Sequence, residues 1–270
     1  MRIAAFVLLM VFSFAALAAP KAELWERWAA STASKVAIDH GAWNDFLSRH
    51  VQEDKDGINR IAYGKVGKAE RAKLRAYLEA LQKVAIRKFS RDEQRAYWIN
   101  LYNAATVDVV LEHYPLDSIL KISISPGLFA KGPWKKKLLK VEGEAVSLDD
   151  IEHRILRPIW QDPRIHYAVN CASFGCPNLQ ARAFTSGNTD ALLDAGARAY
   201  VNHPRGAVVE DGDLTVSSIY VWFQDDFGGG DAGVIAHLKQ YAGPPLKKAL
   251  ADVRRISGHD YDWTLNDAKQ

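Results

Sequence analysis

The 270-residue chain contains only two cysteines, and it lacks the short motifs that identify several common enzyme classes. It has no glycine-rich phosphate loop, no G-x-S-x-G elbow and no H-E-x-x-H helix. These absences argue against kinase, dinucleotide-binding and zincin functions. The chain also has no internal repeat and no low-complexity segment, and its formal net charge of +3 is too small to indicate a nucleic-acid partner.

Long apolar runs are also missing, except at the N-terminus. Residues 3–15 carry no charge, follow Arg2 and precede Ala16-Leu17-Ala18, a small-x-small pattern that signal peptidase accepts. This run is shorter than the roughly 20 residues that span a bilayer core. We therefore predict a cleaved signal peptide at residues 1–18. The mature chain is then a soluble exported protein, periplasmic or secreted, without a transmembrane anchor.

The remaining length fits one large domain with a helical extension. We predict an N-terminal helical annex at residues 19–85 and a main domain at residues 86–270. Within the annex, residues 68–84 place apolar side chains on one stripe, as an amphipathic helix does.

The main domain begins with a strong helix signal. Ser90-Arg91-Asp92-Glu93 has the pattern of a capping box, which predicts a helix from Ser90 to about His113. Asn100 and Asn103 lie on one face of that helix and form another candidate site, although buried amides more often serve structural hydrogen-bond networks.

Turn signals indicate that the strands are short and arranged mainly as hairpins. Glu142-Gly143 and Asp211-Gly212 each separate two extended segments. A helix should follow the first hairpin and end at Pro158, and residues 261–263 should form an edge strand. Since helices outnumber strands, we predict an α+β fold with a small, mostly antiparallel sheet.

One segment concentrates chemically reactive side chains. We predict a strand over residues 165–169 that carries His166, followed by a loop that carries Cys171 and Cys176. Proline favours the first position of a helix, so a helix beginning at Pro177 would place Cys176 at its N-cap. The helix dipole would then lower the pKa of that thiol.

In this arrangement Cys176 is the candidate nucleophile of a thiol-dependent hydrolase or acyltransferase. His166 or His153 is the candidate base, and Asn170 or Asp262 is the candidate orienting group. Backbone N–H groups after Cys176 are the candidate oxyanion donors.

The same two cysteines are compatible with other chemical states. An even cysteine count in an exported chain favours a disulfide, and a Cys171–Cys176 bridge would contribute about 2 kcal/mol in the chain-entropy model. A redox-active dithiol is a further alternative, and as a free thiol Cys171 is a second candidate nucleophile. The spacing His-x4-Cys-x4-Cys is not a standard zinc pattern, so we predict no metal and no cofactor.

Two further features bear on binding. The aromatic residues Tyr220, Trp222, Phe223 and Trp263 line either a ligand cleft or the core. A run of lysines around Trp134 is compatible with anionic lipid or glycan, or with a solvated hairpin edge. The candidate partner is a cell-envelope peptide or glycan, and its identity stays open.

Four stretches resemble the family called domain of unknown function 547. They are residues 95–104 with the sequence RAYWINLYNA, residues 148–156 with His153, residues 165–179 with both cysteines, and residues 261–266 with the sequence YDWTLN. The resemblance implies a domain found in bacterial exported proteins and in larger eukaryotic chains, and it implies no settled reaction.

The motif W-I-N-x-Y-N-A is also loosely similar to the central helix of papain-like and transglutaminase-like folds. In those folds a nucleophilic cysteine opens the helix, whereas this helix offers Asn103. The sequence therefore supports a thiol-dependent enzyme first. A non-catalytic binding domain with a structural disulfide is the second hypothesis, and a redox-active dithiol is the third.

Overall fold

A computed structural model describes residues 20–127 and 130–268. The predicted signal peptide at residues 1–18 lies outside the described residues and stays a prediction. The described α-helices are Gly41–His50 (α1), Lys68–Gln82 (α2), Arg91–His113 (α3), Arg157–Trp160 (α4), Thr189–Val201 (α5), Ser218–Trp222 (α6), Gly230–Tyr241 (α7) and Pro244–Ala249 (α8).

Short strands pair mainly as hairpins. They lie at Val51–Glu53 (β1), Asn59–Ile61 (β2), Lys137–Val141 (β3), Glu144–Ser147 (β4), Ala207–Glu210 (β5), Asp213–Ser217 (β6) and Gly258–Asp260 (β7). The pairs β1–β2, β3–β4 and β5–β6 are antiparallel, and β7 joins β6 in parallel. The chain is therefore a helix-rich α+β domain with small, mostly antiparallel sheets, as the sequence predicts.

Both predicted hairpin turns are confirmed. Glu142 and Asp211 adopt positive φ angles of 45° and 51°, and a glycine with positive φ follows each of them. This geometry suits tight two-residue turns. The predicted edge strand at residues 261–263 is wrong, because the pairing strand β7 ends at Asp260 and residues 261–263 continue as an irregular segment.

Helix α3 runs through the middle of the core. Its start is confirmed, since the Ser90 hydroxyl accepts a hydrogen bond from the Glu93 N–H. The Glu93 carboxylate accepts a hydrogen bond from the Ile38 N–H, so the cap also ties the N-terminal segment to α3. Trp98 and Tyr102 are 1% exposed, and the large core cluster forms around this helix.

The helix after the first hairpin differs from the prediction. Asp150–Leu156 is a π-helix, a wide turn with i→i+5 hydrogen bonds, and α4 follows it directly. The predicted end at Pro158 is wrong, because Pro158 sits in the first turn of α4, where its missing N–H is tolerated. The wide segment is buried against α3, and π-helical segments frequently occur at functional sites.

The reactive segment also differs locally. The predicted strand at residues 165–169 is wrong, because Pro163–Tyr167 forms a 3₁₀ helix that begins where the Asp162 side chain accepts a hydrogen bond from the Arg164 N–H. The loop that follows is confirmed, but no helix begins at Pro177.

Two hydrophobic clusters meet at this segment. Ile165 and Ala168 belong to the large cluster around α3, whereas Tyr167 belongs to a smaller cluster with α5, α7 and the β5–β6 hairpin. The cysteine loop therefore leaves the 3₁₀ helix at the boundary between two packed units. Among residues 20–127 and 130–268, no helix is both long enough and apolar enough to cross a membrane.

Candidate functional site

The amide of Asn170 fixes the loop that holds the two cysteines. Its Oδ1 accepts a hydrogen bond from the Ala172 N–H at 2.9 Å, and its Nδ2 donates to the Pro177 carbonyl at 2.7 Å. The Asn170 N–H in turn donates to Asn103 Oδ1 at 2.8 Å, which anchors the loop to α3. Asn170 thus shapes the cysteine loop rather than orienting a histidine.

The backbone beside Cys171 is unusual. Ala172 has φ of +61°, a left-handed conformation that costs about 1–2 kcal/mol for a residue other than glycine. Ala172 is fully buried, so its packing holds this conformation in place. Backbone outliers of this kind cluster at functional sites.

Both cysteines are free thiols whose sulfur atoms face each other. The two Sγ atoms lie 3.0 Å apart, compared with about 2.05 Å in a disulfide bond. The Cys171 N–H also donates to the Cys176 sulfur at 3.0 Å. Cys171 is partly exposed, whereas Cys176 is 4% exposed. The predicted disulfide is therefore absent from this structure, in which the pair is a reduced dithiol.

The two thiols differ in acidity. Burial opposes ionisation of Cys171, but hydrogen bonds from Cys176, the Ser173 hydroxyl at 3.1 Å and the Tyr261 hydroxyl at 3.0 Å outweigh it. Together they lower the pKa of Cys171 to about 7. Burial and the adjacent Cys171 raise the pKa of Cys176. Cys171 is thus the more nucleophilic thiol at neutral pH.

Cys176 does not occupy a helix N-terminus. Its N–H donates to the Ser173 carbonyl at 3.1 Å and closes a tight turn. Pro177 has no N–H, so the residue after Cys176 supplies no oxyanion donor. The N-cap explanation for an activated Cys176 is therefore wrong, and Cys171 is the thiol whose pKa is lowered.

The π-helix holds Glu152 close to two histidines. Glu152 is 9% exposed, and its Oε1 lies 3.8 Å from His166 Nδ1 and 3.9 Å from His153 Nδ1. Burial raises the pKa of Glu152 to about 8, against the opposing charge of Arg157; the negative charge of Cys171 also raises it. At neutral pH this carboxyl group holds a proton.

His166 is held by an acidic partner on another segment. Its Nε2 donates to the Asp226 carboxylate at 2.7 Å, and its ring stacks on Phe223 with centroids 4.5 Å apart. Arg157 binds the same carboxylate at 2.5 Å. Burial lowers the pKa of His166 despite that partner. In the described residues neither sulfur has a hydrogen bond to a histidine nitrogen, and the second ring nitrogen of His166 lies 3.8 Å from Glu152.

His153 is locked in its neutral form. Arg157 Nη1 donates to His153 Nδ1 at 3.1 Å, which leaves the ring proton on Nε2. Burial and the charge of Arg157 lower the pKa of His153 to about 3. His153 therefore lies beside Glu152 as a buried polar neighbour, not on the surface as a helix residue of its type usually does.

Three tryptophans cluster with Tyr261, whose hydroxyl contacts the Cys171 sulfur, and we call Trp134, Trp222, Tyr261 and Trp263 the aromatic rim. Tyr261 lies with its ring 4.9 Å from Trp222 and 4.7 Å from Trp263, and Trp134 lies 5.8 Å from Trp263. All four are partly exposed. Trp222 and Trp263 therefore contact Tyr261, the residue that contacts the reactive thiol, and the cleft hypothesis for these two tryptophans stays a prediction.

The other aromatic candidates have different positions. Tyr220 is fully buried, and its hydroxyl contacts that of Tyr167 at 3.0 Å, so it belongs to the smaller core. Phe223 packs on His166 behind the rim. Of the lysines around Trp134, Lys137 on β3 forms an ion pair with Asp150 at the start of the π-helix.

The remaining polar candidates hold the backbone. Asn100 exchanges two hydrogen bonds with the Phe184 backbone, at 2.7 and 3.0 Å. The Asp262 carbonyl accepts a hydrogen bond from the Gly175 N–H at 2.8 Å. A Cβ atom at Gly175 would lie 2.8 Å from the Asp262 nitrogen, so only glycine fits this contact. Asn100 thus holds the backbone at Phe184 and Asp262 supports the cysteine loop at Gly175, and neither has a hydrogen bond to a sulfur atom.

Several residues of the site escaped sequence reasoning. Glu152 and Tyr261 lie inside two of the motifs that carry the family resemblance, next to His153 and Asp262, so the motifs offered a signal for both. No sequence motif pointed to Asp226 or Arg157, because an ion pair between residues so far apart in the chain depends on the tertiary fold. The described residues contain no group of three or more His, Cys, Asp or Glu side chains arranged to hold a metal ion.

Comparison with known proteins adds a resemblance to one family over part of the chain but no activity. A family model described as a protein of unknown function, DUF547, matches residues 86–201. Neither the curated proteins nor the solved structures yielded a match. The matched range contains both cysteines, Glu152 and His166, whereas Tyr261 and Asp226 lie beyond it. The chain thus resembles the domain of unknown function 547 family over residues 86–201, a range that contains three of the four stretches with that resemblance; residues 261–266 lie beyond it.

Proposed function

We propose that this protein catalyses thiol–disulfide exchange, with Cys171 as the attacking thiol and Cys176 as the resolving thiol. The carrying observation is the 3.0 Å contact between two free sulfur atoms, one partly exposed and one buried. The difference in acidity supports the same division of roles, since the thiolate is the attacking species and Cys171 has the lower pKa.

The reaction balances with a substrate disulfide as the oxidant. The Cys171 thiolate attacks one substrate sulfur, forms a mixed disulfide and releases the other substrate sulfur as a thiolate, which takes up a proton. Cys176 then loses its proton and attacks the Cys171 sulfur. This second step forms the Cys171–Cys176 bond and releases the second substrate thiol. Two electrons pass from the dithiol to the substrate disulfide.

A surface-bound substrate fits the shape of the site. The reactive sulfur lies at the aromatic rim, whereas two surface pockets of about 670 Å³ each lie elsewhere, beside His40 and beside Tyr114. A disulfide carried on an exposed peptide segment would reach Cys171 without entering a deep cavity. This supports a polypeptide substrate, in line with the cell-envelope peptide proposed from sequence.

Acyl transfer or hydrolysis by Cys171 is the second candidate. It is favoured by the His166–Asp226 pair, whose 2.7 Å contact resembles a base held by its orienting carboxylate. Thiol exchange is the stronger candidate because it needs no oxyanion hole. Around the cysteines, the N–H groups of Cys171, Ala172 and Cys176 already donate within the loop.

Reaction with an aromatic disulfide reagent tests the proposal. The wild-type chain should release two reagent thiols and retain no reagent, because the internal disulfide forms. Cys176→Ser should release one and retain the other half of the reagent on Cys171. Cys171→Ser should react far more slowly, because only the buried thiol of raised pKa is left.

Two results would overturn exchange. One is a native wild-type protein that does not react; the other is stable labelling of both cysteines. If hydrolysis of acyl esters then depended on Cys171 but not on Cys176, the second candidate would replace the first.

Export of the mature chain is a separate proposal, based on residues 1–18. In an oxidising compartment the dithiol would need a continuous supply of reductant, or would work in reverse as a disulfide donor. The intact mass of protein recovered from the cell envelope or medium tests export, since cleavage before Ala19 gives a unique mass. A mass that still includes residues 1–18 would contradict it.

A further inference from the structure

Residues 131–136 carry three lysines at the Trp134 end of the aromatic rim, and we call this segment the lysine loop. Lys131, Lys135 and Lys136 are all exposed. Within residues 20–127 and 130–268, no carboxylate forms an ion pair with any of the three, whereas Lys137, the next lysine, is paired with Asp150. The lysine loop therefore presents three positive charges that a carboxylate from another molecule can bind.

The backbone of the lysine loop is held in place by its neighbours. The Lys135 N–H donates a hydrogen bond to the Ser125 hydroxyl at 3.0 Å, and the Trp134 carbonyl accepts one from the Asp149 N–H at 3.0 Å. The Trp134 ring packs directly on Gly132, which has φ of +73° and leaves no room there for a Cβ atom. The three lysines thus extend from a fixed base, so their position relative to the rim is defined.

Ring contacts connect the lysine loop to the reactive thiol. The Tyr261 hydroxyl lies 3.0 Å from the Cys171 sulfur, and the Tyr261 ring lies 4.7 Å from that of Trp263. Trp263 in turn lies 5.8 Å from Trp134, which precedes Lys135. An extended peptide advances about 3.3 Å per residue, so about three to five residues cover the path from the thiol to the lysine loop.

The two ends of this path differ in charge. Asp262 follows Tyr261 in the chain and Asp260 ends β7, and both are exposed, so negative charge lies next to the residue that contacts the thiol. Near the lysine loop, burial raises the pKa of Asp149 to about 6 against the charge of Lys135, and the Asp149 side chain is 22% exposed. Three lysines outnumber this one largely buried carboxylate, so acidic side chains are favoured at the lysine loop and not beside the thiol.

We propose that the substrate is a polypeptide disulfide with acidic side chains about three to five residues from its reacting cysteine, and that the lysine loop binds these side chains. This inference rests on thiol–disulfide exchange at Cys171. The substrate segment crosses the aromatic rim in an extended conformation while its cysteine reaches Cys171. Attraction between the opposite charges fixes the register of the segment and raises its association rate.

An anionic membrane is the other kind of partner that lysines and tryptophans suit. The packing of the rim favours a peptide, because its tryptophans contact one another and are only partly exposed. Trp222 and Trp263 stack with centroids 5.8 Å apart. In the described part of the chain, the large apolar side chains that are more than a third exposed are Leu24 and Val36, and neither belongs to the rim. The rim thus offers a surface to lie on rather than side chains that insert into lipid.

Synthetic peptides with one cysteine, activated as a pyridyl disulfide, test the proposal. One peptide carries three aspartates at the third to fifth positions from the cysteine, a second carries asparagines there, and a third carries aspartates directly beside the cysteine. Each is made in both chain directions. Attack of Cys171 on the peptide sulfur releases thiopyridone, which is measured by its absorbance. Each rate is divided by the rate of the same peptide with mercaptoethanol, which removes differences in intrinsic reactivity.

The peptide with distant aspartates should react about threefold to tenfold faster than its asparagine partner at low salt. The difference should disappear in about 1 M salt, where the screening length falls to about 3 Å. Aspartates beside the cysteine should give no gain, because they meet the negative charge next to Tyr261.

Charge changes in the lysine loop should alter this ratio of rates. Lys135→Glu/Lys136→Glu should reverse the preference, and Lys135→Gln/Lys136→Gln should bring the ratio close to one. Both leave the backbone hydrogen bonds of the loop intact, and circular dichroism checks the fold. The matched control is Lys247→Glu/Lys248→Glu, the same charge change at two adjacent exposed lysines on α8, which should keep the wild-type ratio.

The outcomes separate this inference from the proposed function. If the wild type releases no thiopyridone from any peptide, exchange at Cys171 fails. If it reacts equally with the aspartate and asparagine peptides, or if the α8 control changes the ratio as much as the lysine-loop variants, the substrate assignment is refuted while exchange stands. Equal reaction with both peptides, together with sedimentation of the wild type but not of Lys135→Glu/Lys136→Glu with phosphatidylglycerol vesicles, would assign the lysine loop to a membrane instead.

Discussion

The hydroxyl group of Tyr261 is the contact whose removal tests the activation of Cys171 most directly. It lies 3.0 Å from the Cys171 sulfur. A hydrogen bond to an ionised group contributes about 1.5–3 kcal/mol, and one pKa unit corresponds to about 1.4 kcal/mol. Because Cys171 is partly exposed, we use the lower end of that range. Tyr261→Phe should then raise the pKa of Cys171 by about one unit.

The change in reactivity follows from the thiolate fraction. With a pKa of about 7, half of Cys171 is ionised at pH 7. A pKa one unit higher leaves about one tenth ionised, so alkylation at pH 7 should slow about fivefold. Above about pH 9 both proteins are fully ionised, and their rates should converge.

Ser173 limits the size of this effect. Its hydroxyl lies 2.8 Å from that of Tyr261 and 3.1 Å from the Cys171 sulfur, so in the wild type the two hydroxyls compete to donate. After Tyr261→Phe, Ser173 can donate wholly to the sulfur. The double variant Ser173→Ala/Tyr261→Phe should therefore raise the pKa by more than the sum of the single changes.

The assay is the pH dependence of iodoacetamide alkylation in a Cys176→Ser background, so that only Cys171 reports. Tyr97→Phe is a matched control, since its hydroxyl also donates a buried hydrogen bond, to the Leu81 carbonyl, but lies on another face of α3. An unchanged midpoint in Tyr261→Phe, or an equal shift in Tyr97→Phe, would refute the hydrogen-bond account of Cys171 acidity.

Three further outcomes follow from the same contacts. Asn103→Leu leaves the Ala168 carbonyl and the Asn170 N–H without their partner and should cost about 2–4 kcal/mol in a urea unfolding titration; a loss below about 0.5 kcal/mol would contradict it. The pKa of Glu152 is raised from 4.5 to about 8 on folding, so its contribution is full below pH 4.5 and is lost as pH rises toward 8. The melting temperature of Glu152→Gln should therefore rise relative to that of the wild type as pH increases from 4.5 to 8. A constant difference in melting temperature over this range would contradict a buried, protonated Glu152. Trp222→Ala should raise KM for peptide disulfides severalfold with little change in kcat. A fall in kcat alone would show that the aromatic rim does not bind the substrate.

Local sequence signals predicted the parts of the fold that local chemistry decides. The Ser90 cap depends on residues three apart, and the turn at Glu142-Gly143 depends on two neighbours. The strand prediction for residues 165–169 was wrong because local signals there do not decide the structure. Their short apolar pattern fits a strand or a buried turn equally well, and the Asp162-Pro163 start decided for the turn.

The same contrast between local signals and long-range contacts applies to the candidate site. Both cysteines were found from their types and spacing, and the proposed function gives the attacking role to Cys171 in place of Cys176. The argument for Cys176 needed a helix at Pro177. The lowered pKa of Cys171 instead comes from hydrogen bonds with Cys176, Ser173 and Tyr261, and Tyr261 lies 90 residues away in the chain. A hydrogen bond of that separation exists only after β7 and the irregular segment behind it dock beside the loop.

Cys171 and Glu152 influence each other's protonation, and this coupling determines when exchange can be fast. The attacking thiolate forms above about pH 7, and the acid form of Glu152 persists up to about pH 8. Each negative charge raises the pKa of the other group, so the two titration steps belong to the pair and not to either residue alone. The rate of exchange should therefore rise with pH as the Cys171 thiolate forms, and Glu152→Gln should move the midpoint of that rise to lower pH. An unchanged midpoint in Glu152→Gln would show that the charge of Glu152 does not act on Cys171.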